Sequence, residues 1–420
     1  MLKMKICLLT YRGNMHCGGQ GVYVYCLAEA LVKLGHEVHI MSGPPYASAP
    51  EGVKLHRIPG LNLYESGVAA LSTPAHWLDP LNIYELAAIQ IGMFPDILAF
   101  SMRAYARLRE LMPRERFDVI HDNQTLGYGL LLAGSLGVPI VATIHHPITI
   151  DMAASIAEVD NWITKMRRTM FYSFLVMQGI VGRRMERIIA VARASAEDTI
   201  RAFKLREDRV RVVYNGIDTV AFSRQEVRKE SNGIVIVAKA GDRKKGVPFL
   251  LKAVQLLKGD IDVRVNIVGD QGDDDGFGEN LVRDLGLADR VTFTGVVSKD
   301  ELARLYSAAE IAITASIYEG FGLPAAEAMS CGTPVIVTRA GALPEIVGKD
   351  GAGMLVPPAD PAALAAAIKR LLADGPLRRE MGEASRKRIE ECFSWEATAR
   401  NTVEVYREVV RARQGQGLRK

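Results

Sequence analysis

The chain has 420 residues, 49% of them hydrophobic and 24% charged, with a formal net charge of +4. This length requires two or three domains, and so small a net charge excludes a protein whose whole surface binds nucleic acid. The five cysteines are scattered without a Cys-x-x-Cys pair, and the N-terminal segment lacks the long apolar stretch of a signal peptide. We therefore expect no disulfide framework, no structural zinc site and a cytoplasmic location.

Strands and helices alternate along the chain in two successive series. The first series has a helix at 21–34 and strands at 5–10, 37–42, 118–121, 139–144 and 187–191. The second has a helix at 247–257 and strands at 233–238, 263–268, 290–294, 311–314 and 334–337. Such alternation is typical of parallel sheets covered by helices, so the sequence predicts an α/β protein with two doubly wound, Rossmann-like domains.

A polar stretch at 223–232, charged and without clear periodicity, separates the two series. We therefore assign a first domain to 1–218 and a second to 219–393. Ser394 is a suitable N-cap for a last helix at 394–413, because its hydroxyl can accept a hydrogen bond from an amide of the first turn.

The segment Glu319-Gly-Phe-Gly-Leu-Pro-Ala-Ala-Glu327 lies between two predicted strands, so it must be a loop that leads into a helix. Gly320 and Gly322 permit close approach of a ligand to the backbone, and Pro324 suits a first helical turn. The unpaired amides and the positive end of the helix dipole then face the loop, which is an arrangement that binds a diphosphate. Glu327, one turn into the helix, is placed to accept hydrogen bonds from a ribose. The alternative is a glycine–proline loop with two solvated glutamates.

A basic segment follows the first strand of the second domain and contains Lys239, Arg243, Lys244 and Lys245. Ligands of open α/β sheets bind at the carboxyl ends of the strands, and the compact charge of lysine suits a phosphate. This position favours a phosphate site over a basic surface turn.

The first domain carries two weaker signals at the ends of predicted strands. Gly18 and Gly19 follow the first strand, where backbone amides can face a phosphate, although a plain tight turn explains them equally well and the spacing is not a dinucleotide fingerprint. His145 ends another strand and is interpreted as a hydrogen-bonding partner of the substrate. His146 points the opposite way on an extended chain and is interpreted as structural.

The aspartates at 273–275 lie in a glycine-rich stretch, and a solvated loop explains them better than a metal site. We therefore predict no bound metal.

Together these motifs resemble the retaining glycosyltransferases of family four, which have the GT-B fold: two Rossmann-like domains that face each other across a cleft. The resemblance covers nearly the whole chain and includes Asn215-Gly-Ile-Asp218, Gly295-Val296 and the seven residues between the two glutamates of the 319–327 loop. It implies that helix 394–413 packs back on the first domain. It also implies transfer of a hexose from a nucleoside diphosphate sugar, with uridine diphosphate favoured and guanosine diphosphate next, without a cofactor. The acceptor is left open among small molecules, lipids and glycans.

The resemblance assigns roles in holding the donor. Glu327 should bind the ribose, and Glu319 with the amides of Phe321 and Gly322 should hold the hydroxyls of the donor sugar. The amides of Leu323 and Gly19 should contact the diphosphate.

The resemblance also assigns roles in catalysis. Lys245 should neutralise the departing β-phosphate, His145 should face the donor sugar near its six-position hydroxyl, and backbone groups around Val296 should meet the base. Lys239 stands where the family usually has arginine, so a point charge replaces a bidentate contact. This leaves open how Lys239 shares the binding of phosphate with Arg243 and Lys244.

Two alternatives stay open at this stage. The same fold serves sugar-nucleotide epimerases and phosphorylases, and a non-catalytic nucleotide-sugar binding protein would carry the same donor site.

The stretch at 161–187 is rich in basic and aromatic residues, and its role is open as well. It is either a helix lying on an anionic membrane or an ordinary part of the first domain with solvated arginines.

The site assembled from these motifs needs no divalent ion, because lysines and a helix terminus can hold the diphosphate. We expect sugar transfer, measured as nucleotide release, to be unchanged by excess EDTA. Complete loss of activity with EDTA and its recovery with Mn²⁺ would contradict this prediction and favour a metal at 273–275.

Overall fold

The computed structural model describes residues 3–13, 20–63, 78–157, 159–239, 242–270 and 276–417. The chain forms two compact units. Unit 1 comprises Met1–Val213 with Thr398–Lys420, and unit 2 comprises Tyr214–Ala397.

Unit 1 is built on a seven-stranded parallel sheet of strand order β3-β2-β1-β4-β5-β6-β7. The strands are β1 (Lys5–Thr10), β2 (Glu37–Ser42), β3 (Lys54–Arg57), β4 (Val119–Asn123), β5 (Ile140–Ile144), β6 (Arg187–Ala190) and β7 (Val210–Val212). Strands β4 and β5 are buried along their whole length, as expected for parallel strands covered on both faces. The order reverses between β1 and β4, and ligands of doubly wound sheets bind at the carboxyl ends beside such a reversal.

The helices of unit 1 connect these strands. They are α1 (Gln20–Lys33), α2 (Pro80–Gln90), α3 (Asp96–Glu115), α4 (Gly129–Ala133), α5 (Thr149–Ala157), α6 (Trp162–Phe171), α7 (Phe174–Gly182) and α8 (Arg193–Phe203). The core lies between sheet and helices, where Leu9, Phe100, Leu108, Ile120 and Phe174 are buried.

Unit 2 repeats the arrangement with a six-stranded parallel sheet of order β10-β9-β8-β11-β12-β13. The strands are β8 (Gly233–Val237), β9 (Arg264–Val268), β10 (Val291–Gly295), β11 (Ile311–Thr314), β12 (Val335–Thr338) and β13 (Met354–Val356). The reversal falls between β8 and β11, so the segments that leave these two strands are where a ligand is expected.

The helices of unit 2 are α9 (Val247–Leu257), α10 (Phe277–Asp284), α11 (Lys299–Ala308), α12 (Leu323–Ser330), α13 (Leu343–Val347), α14 (Pro361–Ala373) and α15 (Gly375–Cys392). The core of this unit includes Ile236, Leu250, Ile267, Ile313 and Ile368. The predicted α/β architecture with two parallel sheets is therefore confirmed.

The last helix, α16 (Trp395–Gly417), begins in unit 2 and continues in unit 1. The hydroxyl of Tyr406 lies 2.5 Å from Nδ1 of the buried His121. The carboxylate of Glu408 pairs with Arg187 at 2.6 Å and with Arg211 at 2.5 Å. These contacts make the C-terminal helix an integral part of unit 1.

Two features differ from the sequence expectations. Strands β3, β7 and β13 had not been predicted, because they are only three or four residues long and lack a continuous buried stretch. The stretch at 161–187 is also not one helix, since α6 ends at Phe171 and α7 begins at Phe174. Among the described residues, no helix has the length and apolar character needed to cross a bilayer.

Candidate active site

The lysine turn after β8 and the loop after β11 meet at the sheet reversal of unit 2. Asp242 caps a short 3-10 turn, Arg243–Lys245, by accepting hydrogen bonds from the amides of Lys244 at 2.9 Å and Lys245 at 3.3 Å. The ammonium group of Lys245 then lies 2.7 Å from Oε2 of Glu319. Two residues assigned separately from the sequence are therefore direct partners.

The close approach of these two segments depends on Gly246. This glycine has φ +75°, and a Cβ at this position would lie 1.9 Å from the carbonyl oxygen of Ala315. No other residue fits without moving the loop. The amide of Ile317 donates to the carbonyl of Lys244 at 2.8 Å, which ties the loop to the lysine turn.

Glu319 is held from several sides. Its side chain is only 11% exposed, and Oε2 also accepts a hydrogen bond from the hydroxyl of Ser316 at 3.2 Å. Its carbonyl accepts from the amide of Ala342 at 3.0 Å, beside Gly341, where a Cβ would lie 1.9 Å from the same oxygen. The carboxylate is therefore fixed at the place where the loop turns toward α12.

Helix α12 begins directly after Gly322, whose φ of +105° favours glycine, and Pro324 occupies the first turn. Glu327 follows one turn later, with its Oε2 at 3.4 Å from the hydroxyl of Tyr306. The carboxyl group is densely surrounded by protein, although part of the residue is exposed. This desolvation raises the pKa of Glu327 to about 8.

The remaining predicted cations have other partners. Lys239 pairs with Asp270 at 3.5 Å, and the guanidinium of Arg243 lies 4.5 Å from the ring centroid of Phe277. Lys244 is exposed. The ion pair with Glu319 is therefore formed by Lys245, whereas Lys239 pairs with Asp270.

The predicted backbone positions lie around the start of α12 and directly after β10. Gly320, partly exposed, and Phe321, buried, precede the start of α12, and the ring of Phe321 packs against Phe393 at 6.1 Å. Leu323 is the first residue of the helix and is exposed. Val296 follows β10, and the residue is 79% exposed.

His145 in unit 1 follows β5 and contacts the end of the neighbouring strand β4. Its Nε2 lies 2.8 Å from Oδ1 of Asn123. The amide nitrogen of Asn123 donates to the carbonyl of Gln20 at 3.3 Å, which turns the amide oxygen toward the imidazole. The neutral ring therefore carries its proton on Nε2 and presents Nδ1 as a hydrogen-bond acceptor.

The environment keeps this imidazole uncharged. Burial, and then the charge of His146, lowers the pKa of His145 to about 3. The ring of Tyr23 packs edge-on against it at 4.7 Å, and Ser195 donates to its carbonyl at 3.0 Å. The predicted structural residue His146 lies 2.7 Å from Asp151.

Three sequence assignments lie outside the described residues: Gly18, Gly19 and the aspartates at 273–275.

One cluster in unit 1 has the composition of a metal site. Glu37, His39 and Glu115 offer ligand atoms within 4.8 Å of one another. However, the ammonium of Lys5 lies 3.1 Å from Glu37 and 3.0 Å from Glu115, and that of Lys54 lies 3.3 Å from Glu37. Two lysines therefore already neutralise the carboxylates. The cluster also lies at the amino ends of β1 to β3, the edge opposite to that where ligands of such sheets bind.

Four supporting residues had not been identified from the sequence: Asn123, Asp242, Tyr306 and Ser316. Asp242 and Ser316 had a local signal, since each stands two or three residues before a lysine or glutamate of the site. Asn123 and Tyr306 meet their partners across 22 and 21 residues of chain, so only the fold reveals them.

The fold is that of known GT-B enzymes. Sucrose-phosphate synthase of Thermosynechococcus elongatus superposes with a TM-score of 0.72 at 24% identity, over 98% of this chain and 100% of that one. HepE of Anabaena, solved in complex with UDP, superposes with a TM-score of 0.69 at 18% identity, over 96% and 100% of the two chains. The class of the protein, as far as its architecture defines it, is thus that of chains with the GT-B fold.

Sequence relatives narrow this class. The family described as Glycosyltransferase Family 4 matches residues 17–221, and that described as Glycosyl transferases group 1 matches residues 219–388. An MMP alpha-(1->4)-mannosyltransferase of Mycolicibacterium hassiacum is 41% identical, over 97% of this chain and 98% of that protein. A D-inositol 3-phosphate glycosyltransferase of Paenarthrobacter aurescens is 29% identical over 95% of each chain. The chain belongs to glycosyltransferase family 4 and is an enzyme of glycosyl transfer, as the motifs had indicated.

The raised pKa of Glu327 predicts a pH-dependent stability. The pKa of Glu327 in the folded protein is about 8, above its ordinary value of 4.5. Between these two pH values the folded protein binds more protons than the unfolded chain, so its stability falls as the pH rises. Glu327→Gln should therefore raise the apparent melting temperature at pH 8, by about 5 °C, and leave it nearly unchanged at pH 4.5.

Thermal unfolding of both proteins across this pH range measures the effect. Glu383→Gln, which changes an exposed glutamate of α15, is the control and should show no pH-dependent difference. Parallel curves for Glu327→Gln and the parent protein would show that the carboxyl group is already ionised at neutral pH.

Proposed function

We propose that this protein is a retaining, metal-independent mannosyltransferase that moves a mannosyl residue from a nucleoside diphosphate mannose to a hydroxyl group of a glycan acceptor. The observation that carries this proposal is the 41% identity to a mannosyltransferase over nearly the whole of both chains. At this similarity the donor sugar is the property most readily shared, because the same loops must hold its hydroxyls. We place the enzyme in the cytoplasm, where nucleotide sugars are available.

The nucleotide follows from the sugar. The family resemblance favoured uridine diphosphate, but mannose is ordinarily activated as its guanosine diphosphate ester. We therefore propose GDP-mannose as the donor, with UDP-sugars as the alternative to be tested. The backbone of the exposed residue Val296 would meet the base, and Glu327 would hold the ribose.

The chemistry centres on charge. As the bond between sugar and phosphate breaks, negative charge develops on the departing diphosphate, and preorganised positive groups stabilise it more in the transition state than in the ground state. Lys245 is already held in position by Glu319 at 2.7 Å. Its ammonium has three N–H donors, so it can contact a phosphate oxygen without leaving the carboxylate. The amides at the start of α12, beginning with Leu323, add the positive end of a helix.

His145 would contribute a neutral hydrogen bond. Because Asn123 fixes the proton on Nε2, the Nδ1 atom would accept a hydrogen bond from a hydroxyl of the donor sugar. A neutral ring adds no positive charge beside the oxocarbenium-like sugar. The acceptor would attack from the face that the diphosphate leaves, with the departing phosphate taking its proton, so that the anomeric configuration is retained.

A panel of sugar nucleotides tests the donor assignment, because a bound ligand raises the apparent melting temperature by mass action. GDP-mannose should give the largest shift among GDP-mannose, GDP-glucose and UDP-glucose, each at the same concentration. With a mannose oligosaccharide as acceptor, GDP should be released and the new linkage should be α by NMR. A larger shift in melting temperature and faster turnover with UDP-glucose would contradict mannosyl transfer and indicate a uridine diphosphate sugar as the donor.

The assignment of Lys245 and Glu327 makes a second prediction. Lys245→Ala should lower kcat about a hundredfold, equivalent to ~2.7 kcal/mol of barrier. Glu327→Ala should mainly raise KM for the donor, because a ribose contact changes little during reaction. Lys252→Ala, on the exposed side of α9, is the matched control and should retain parental kinetics. Parental kcat in Lys245→Ala would remove this lysine from the mechanism.

A further inference from the structure

Helix α6 has no buried residue. Trp162 is 69% exposed, Ile163 is 48% exposed and Met166 is 49% exposed. Large apolar side chains grouped on an exposed surface mark an interaction site more often than an isolated exposed residue does.

These side chains form one stripe. At 3.6 residues per turn, Trp162 and Met166 lie one above the other, with Ile163 beside them. By the same geometry Lys165 and Arg167, both exposed, lie on opposite flanks of the stripe.

The opposite face of α6 attaches the helix to unit 1. The ring of Phe171 packs against Phe94 at 5.5 Å, and the guanidinium of Arg168 donates to the carbonyl of Ser155 in α5. The apolar stripe therefore points away from the unit. Helix α7 differs from α6 because its apolar side chains lie in the core, where Phe174, Leu175 and Met177 are buried.

We propose that α6 is a membrane-docking helix that lies in the interface of a bilayer containing anionic lipid. A helix of this kind places its apolar stripe among the acyl chains and its flanking cations at the head groups. The charges of α6 suit such a partner. Its sequence contains no acidic residue, and neither Lys165 nor Arg167 belongs to an ion pair in the part of the chain that the structure describes.

Charge also argues against a second copy of the chain as the partner. A two-fold symmetric contact would bring α6 against itself. The exposed cations of one copy would then face those of the other, which is unfavourable for like charges at short range. An anionic bilayer has no such conflict.

Vesicle sedimentation tests the proposal without using turnover, so its outcome is independent of the proposed donor and acceptor. At low ionic strength the protein should sediment with vesicles of phosphatidylcholine and phosphatidylglycerol but not with phosphatidylcholine alone, and added salt should release it. Lys165→Gln with Arg167→Gln should weaken binding about thirtyfold, since each basic residue contributes about a factor of five. Trp162→Gln with Met166→Gln should weaken it at least about tenfold while leaving the charge unchanged.

The matched control lies on α9, where Lys252 and the 61% exposed Leu256 are also one turn apart. Lys252→Gln with Leu256→Gln should bind vesicles like the parent protein, and every variant should keep the parental melting temperature. Absence of binding to anionic vesicles at low salt would overturn the proposal, as would an equal loss in the α9 control. A dimer in sedimentation velocity that Trp162→Gln with Met166→Gln dissociates, without vesicle binding, would assign the stripe to self-association instead.

Discussion

The close contact between the lysine turn and the Glu319 loop is the constraint on which the site of unit 2 depends. It brings an ammonium and a carboxylate to 2.7 Å, and it is allowed only because Gly246 has no side chain to meet the carbonyl of Ala315. The same contact fixes where the loop turns into α12, and hence where the helix presents its amides. The close approach of these two backbone segments therefore positions a cation, a carboxylate and a helix terminus together.

The two units supply different kinds of chemistry. Unit 2 offers charge, with Lys245 and Glu319 in a partly exposed pair. Unit 1 offers a neutral hydrogen-bonding group, because burial suppresses protonation of His145 and Asn123 selects its tautomer.

Much of this could be predicted from sequence where local rules govern. The bounds predicted for the helix at 247–257 agree with α9, because Gly246 marks its start and the apolar pattern its length. The start of α12 followed from Gly322 and Pro324 for the same reason. The short strands β3, β7 and β13 were missed, since pairing with a neighbour defines them more than their own sequence does. Asn123 and Tyr306 were missed because their roles arise only when distant segments meet.

The path of α16 bears on how the protein is made. Its residues from Thr398 complete unit 1, through Tyr406 with His121 and Glu408 with two arginines. On the ribosome, however, all of Tyr214–Ala397 must be synthesised first. At about 5–20 residues per second, the nascent unit 1 waits on the order of ten to forty seconds for its final helix. Unit 2 is one continuous segment, so its whole sequence is available before that of unit 1. During the delay the surface around His121 lacks its covering helix. A chaperone that shields unit 1 would act in that interval.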